Sequence, residues 1–107
     1  METYLVLRRG AWRNVGEAEA ARTRAAAEAE RLSELVEWRW TYTFAECDGT
    51  FGSVCVYEAV SPEALRHHAA TAVLPVDEIV KVVGGGLSQA NAPMSATSVE
   101  REGPSTR

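Results

Sequence analysis

Long apolar runs are missing from this chain. No stretch approaches the roughly 18–20 consecutive apolar residues that a helix needs to cross a bilayer. Export features are missing as well. Met1-Glu2-Thr3 leads straight into the apolar run Tyr4-Leu5-Val6-Leu7, with no basic lead and no small-residue cleavage site, so the start does not read as a secretory signal. Cysteine is scarce, at two residues in 107, which excludes a disulfide-stapled scaffold. With no export signal, the two thiols point to a reducing, cytoplasmic setting. Basic charge is also short: 11 Lys and Arg stand against 15 Asp and Glu, for a net charge of −4. Arg8, Arg9 and Arg13 lie near the start, and Arg22, Arg24 and Arg31 lie among glutamates. Dispersed in this way they form no stripe for a nucleic-acid backbone or an anionic membrane surface. No CxxC or HxxxH spacing occurs. Gly84-Gly85-Gly86 lacks the lysine of a phosphate loop and reads as a flexible joint.

What is present suits one small domain. A chain of this length buries only about 60–65% of its unfolded surface, so an apolar face left open is a sizeable loss.

Tyr4-Leu5-Val6-Leu7-Arg8 reads as a strand from its β-branched and aromatic content, and 10–16 reads as a loop. Over 16–35 the residues are mainly Ala, Glu and Arg, which favour a helix. Ala18, Ala21, Ala25, Ala29 and Leu32 recur at three- and four-residue steps and form one apolar stripe. A stripe of alanines lets that helix lie close to what it covers. Val36, Trp38, Trp40, Tyr42 and Phe44 then alternate with Glu37, Arg39, Thr41 and Thr43, the period of a strand. Asp48-Gly49 signals a hairpin, and Ser53-Val54-Cys55-Val56-Tyr57-Glu58 is the returning strand. Ser61-Pro62-Glu63 opens a second helix, with Ser as cap and Pro in the first helical position. That helix runs to about Ala72, and 76–83 is the last strand. Residues 1–83 make the domain. Residues 84–107 are small and polar and read as a disordered tail.

The order βαββαβ predicts a ferredoxin-like α+β fold: a four-stranded antiparallel sheet with both helices on one face and the first and third strands central. A two-residue loop at Asp48-Gly49 sets the hairpin register, with opposed numbers summing to 97. Trp38, Trp40, Tyr42, Cys55 and Tyr57 then share one side, Val54 and Val56 share the other with Thr41 and Thr43, and Arg39 meets Glu58. A loop through Thr50-Phe51 breaks that register. The central strands are apolar on both sides, and two helices cover only one. A second copy related by a two-fold axis is the expected cover, giving a homodimer of the α/β-barrel kind.

The residues also resemble a small family of ferredoxin-like domains of unknown function, some of whose members are nickel-binding, related to dimeric α/β-barrel proteins. The likeness is carried by Tyr4-Leu5-Val6-Leu7-Arg8, by Val36-Glu37-Trp38-Arg39-Trp40-Thr41-Tyr42, and by Cys55-Val56-Tyr57-Glu58-Ala59. It continues through Ser61-Pro62-Glu63-Ala64-Leu65-Arg66-His67-His68-Ala69 and Leu74-Pro75-Val76-Asp77 with Ile79. His68 matches the family's helix histidine. Nickel-binding relatives carry another histidine before the proline, where this chain has Leu74.

The resemblance implies a divalent metal, nickel first, with His68 as a ligand; Glu58, Asp77 and Glu78 are the available carboxylates, with Glu58 taken as its partner. His68 read by itself is either a structural histidine or a ligand, and His67 faces solvent. Trp38, Tyr42 and Tyr57 are candidate walls for a small-molecule ligand at or near the dimer interface, or else packing residues. Cys55 is a small buried apolar residue or a reactive thiol. Three functions follow: a homodimeric binding protein for a metal or small ligand, a dimeric α/β-barrel enzyme such as a small monooxygenase or isomerase, or a structural dimerisation module. No nucleophile–base set supports the enzyme, so no catalytic residue is assigned.

Overall fold

A computed structural model describes residues 1–86. The expected tail lies outside the described residues from 87 onward.

Six elements follow in the order β1 (Glu2–Trp12), α1 (Val15–Arg31), β2 (Val36–Ala45), β3 (Phe51–Ala59), α2 (Pro62–Thr71) and β4 (Glu78–Lys81). The four strands form one antiparallel sheet in the order β2-β3-β1-β4, so β1 and β3 are central. The fold is ferredoxin-like. Among the described residues no helix is long and apolar enough to cross a membrane.

Local signals explain most boundaries. Asn14 caps α1 by accepting from the Glu17 amide at 2.9 Å, and Glu17 reaches back to the Arg13 amide at 2.9 Å. Two otherwise orphaned amides are satisfied at the helix start. The buried residues of α1 are Ala18, Ala21, Ala25 and Ala29, the expected alanine stripe. Ser61 caps α2 through the Ala64 amide, with Pro62 in the first turn. That helix buries Ala64, Leu65, His68 and Ala69. It stops before Val73, whose positive φ is an unusual conformation for a β-branched residue. Arg24 of α1 clasps this end by donating to the Ala72 carbonyl at 3.0 Å.

Three expectations need correction. The first strand does not end at Arg8. It continues through an irregularity to Trp12, which pairs with Phe51. Gly10 has a positive φ that permits the extra bend, so the glycine marks a bulge rather than a loop. The last strand is shorter than 76–83, spanning Glu78–Lys81.

The third correction concerns the hairpin. Its loop has five residues: Ala45 pairs with Phe51, and the Glu46 amide donates to the Thr50 carbonyl at 2.8 Å. Asp48 holds the tip by accepting from the Thr50 amide and hydroxyl. Thr41 therefore faces Cys55, Thr43 faces Ser53, Trp40 faces Val56 and Tyr42 faces Val54. A bulge between Trp38 and Trp40 shifts the register again, so that Trp38 faces Tyr57. Trp38 and Tyr57 thus stay on the helix side, while Trp40 and Tyr42 turn to the open side. Opposite Cys55, Thr41 shares the space beneath α1 with the Arg8 side chain. Gly52 is required for a separate reason: a Cβ there would run into the Arg8 carbonyl and the Phe44 ring.

The two faces of the sheet now differ sharply. The helix side buries Tyr4, Val6, Val36, Cys55, Tyr57 and Ala59 against Leu65 and the alanines. The other side presents Leu5, Leu7, Val54 and Val56 only half-buried, beside exposed Trp40, Tyr42 and Val80.

Candidate functional site

Three side chains that can carry charge or move protons lie deep on the helix side. Arg8 is 2% exposed, His68 1% and Tyr57 0%. Each reaches its place by simple periodicity. Arg8 follows Tyr4 and Val6 at every second position of β1, so it shares their buried face. Tyr57 follows Ser53 and Cys55 in β3 for the same reason. His68 lies one helical turn beyond Ala64 on the covered side of α2.

Arg8 donates from Nε to the Pro75 carbonyl at 2.8 Å and from Nη1 to the Cys55 sulfur at 3.3 Å. The same sulfur accepts from the Thr41 hydroxyl at 3.2 Å. Thr41 in turn accepts from the Trp38 indole N–H at 2.7 Å. Its own hydroxyl proton is thereby free to point at sulfur. Ser53 Oγ is 3.9 Å from that sulfur. Around this cluster lies a cavity with about 20 Å³ open to the centre of a water-sized sphere. Its floor is Arg8, Thr41, Ser53 and Cys55, and its roof is the alanine stripe of α1.

His68 sits beside this cluster. Its Nε2 is 2.8 Å from the Ala25 carbonyl. A carbonyl only accepts, so Nε2 carries the proton. Burial pushes the His68 pKa down; the Ala25 bond opposes that and Arg8 adds to it. The ring meets Tyr57 edge-on, with centroids 5.3 Å apart. The Tyr57 hydroxyl has no hydrogen-bond partner among the described residues. Its pKa is pushed up to about 12, chiefly by burial, so it remains protonated at neutral pH.

The expected site residues therefore separate. Trp38, Tyr57 and His68 share the covered side. Tyr42 stands on the open side, 62% exposed, in edge contact with Trp40 at 5.9 Å. Glu58 also faces away from the helices and pairs with Arg39 at 3.3 Å, the cross-strand partner expected from the sequence. The sheet thus lies between His68 and Glu58, and His67 is exposed. Among the described residues, no three His, Cys, Asp or Glu side chains gather as a metal centre needs. The described residues of the single chain do not fit a nickel ion.

Arg8 is the candidate site residue that the sequence reading passed over. Its sign was in plain view: an arginine on the apolar register of a central strand.

The family model described as nickel responsive protein SCO4226-like matches residues 4–82. The chain belongs to that family. Among solved structures, the crystal structure of SCO4226 from Streptomyces coelicolor A3(2) is similar, with a TM-score of 0.62 and 19% identity. That match covers 78% of this chain and 99% of the other. The solution structure of the C-terminal domain of the MgtC protein from Mycobacterium tuberculosis is also similar, with a TM-score of 0.54 and 18% identity. It covers 78% of this chain and 88% of that domain. At such identities the two structures speak for the fold alone. A search of curated proteins finds no match.

Proposed function

We propose that this member of the nickel-responsive family is a homodimeric binding protein whose copies pair through their open sheet faces. The observation that carries this reading is the state of Trp40 and Tyr42, which are 57% and 62% exposed on an apolar face that no helix covers. Four strands at about 4.8 Å spacing and roughly 30 Å of strand length outline several hundred Å² on that side, at the upper end of what monomers leave bare. A standard interface needs about 800 Å² of accessible surface per partner, which corrugated aromatic side chains on such a patch can provide. Trp and Tyr are among the residues that most often dominate association, and these two stand on the edge strand β2.

In this reading a nickel or other divalent ion is shared between copies rather than held inside one. The open face offers Glu58, which a two-fold axis would double. His68 is committed to Ala25 on the other side and takes no part. The room beneath the helices is about 20 Å³. An organic substrate needs far more, which favours binding over an enzyme of the barrel type.

Sedimentation velocity at tens of micromolar is the deciding experiment. The native chain should run as a dimer, and Trp40→Glu with Tyr42→Glu should run as a folded monomer. Equilibrium dialysis with nickel should then show uptake that falls in Glu58→Gln and persists in His68→Gln. A native chain that sediments as a single subunit would end the proposal.

A further inference from the structure

The cavity beneath α1 has a charge that its surroundings do not balance. Arg8 lies in its floor with its guanidinium taken out of water. The ion pairs among the described residues leave Arg8 out. Its hydrogen-bond partners are a carbonyl and a sulfur, neither a carboxylate. The residues lining the cavity include no Asp or Glu; its second arginine, Arg22, lies 4.0 Å from Glu19, so Arg8 carries the unbalanced charge. In a chain with a net charge of −4 this is a locally positive chamber. Buried charges in proteins are paired, because an ion moved out of water without a partner is strongly destabilised.

We propose that this cavity binds a small monovalent inorganic anion of halide size. Three features fit that occupant. The guanidinium supplies charge and has N–H groups beyond the two used by Pro75 and Cys55. Ser53 adds a hydroxyl on the same wall, while the Thr41 proton is directed at the Cys55 sulfur. The volume, about 20 Å³, exceeds the minimum that admits one water-sized particle and falls well short of an organic acid. Trp12, Arg22 and Thr43 line the cavity and are themselves at least partly exposed, so solvent ions have a way in past a second positive charge. The site is on the helix side and stands whether or not the open faces of two copies pair.

Chloride NMR on the full chain tests the proposal. The chloride line should be broadened by the protein, and added bromide should reverse the broadening along a saturating curve. Arg8→Met should abolish the excess width. Ala21→Val, which fills the cavity and leaves Arg8 in place, should reduce it, and it decides the matter if Arg8→Met does not fold. Crystals grown in sodium bromide should show an anomalous peak beside the guanidinium. The idea is overturned if the excess width is the same in native chain and Ala21→Val, or if the bromide crystals hold only water there. It is equally overturned if the ultraviolet band of an ionised thiol shows Cys55 to be the counter-charge of Arg8.

Discussion

Beneath the helices the sheet holds an arginine, a histidine and a tyrosine out of water; on its far side it shows leucines, valines and two large aromatic rings to solvent. This inverts the usual sorting of polar outside and apolar inside. The covered face can hold polar groups because most have partners: Arg8 on Pro75 and Cys55, His68 on Ala25, Thr41 between Trp38 and Cys55. The open face has few such bonds, and its groups gain only if something apolar covers them. One side is therefore specified within the chain. The other is left to solvent in the single chain.

Equal truncations on the two faces should separate these roles. Leu65 is fully buried beneath the helices. Leu65→Ala should cost about 3 kcal/mol in chemical denaturation. Extrapolated to infinite dilution, that loss should not change. Trp40→Ala should leave the stability of an isolated subunit within about 0.5 kcal/mol while weakening self-association roughly tenfold or more. An equal loss for both variants at high dilution would erase the distinction between the faces.

A pH series sharpens the same contrast. His68 has a lowered pKa in the folded chain, so between that value and the ordinary 6.5 the unfolded chain binds the extra proton. Stability contributed by neutral His68 is complete above pH 6.5 and is lost as pH falls toward the folded value. Within that window the unfolding free energy should fall as pH falls. Unfolding free energies measured from pH 7.5 to 5 should show it, and His68→Gln should flatten it. The depressed pKa values of Glu17, Glu28 and Glu46 act at lower pH, near the carboxylate range.

The smallest expected effect concerns Tyr57. Its buried hydroxyl has no partner among the described residues, so Tyr57→Phe removes a desolvated group and breaks no bond. Stability should stay level or rise by up to about 1 kcal/mol. A loss above that in thermal melting would mean that the hydroxyl is satisfied in solution.

How far the sequence could be read depended on the range of the signal. Ser61-Pro62 and the alanine stripe of α1 act within a turn or two of helix, and both appear where the residues place them. The βαββαβ order and the central place of β1 and β3 follow from connection rules, and these were also legible. The hairpin was legible in part. Asp48-Gly49 does lie at its tip, yet the loop is five residues long. Each added residue moves every side chain of one strand relative to the other. The bulge after Trp38 then returned Trp38 to the helix side, while Trp40 and Tyr42 stayed on the open side. Nothing local to β2 announces it. His68 could be placed on the inner side of α2 from spacing. Its bond to Ala25 could not, since that contact joins residues 43 apart.

The sequence by itself determined the elements, their order and the excess of apolar sheet over helix, because propensity, capping and period act between near neighbours. Only the tertiary structure decided which aromatics face outward, which sulfur meets Arg8 and that the sheet separates His68 from Glu58. Those outcomes depend on strand register and shared volume, which are fixed when distant segments compete for the same space.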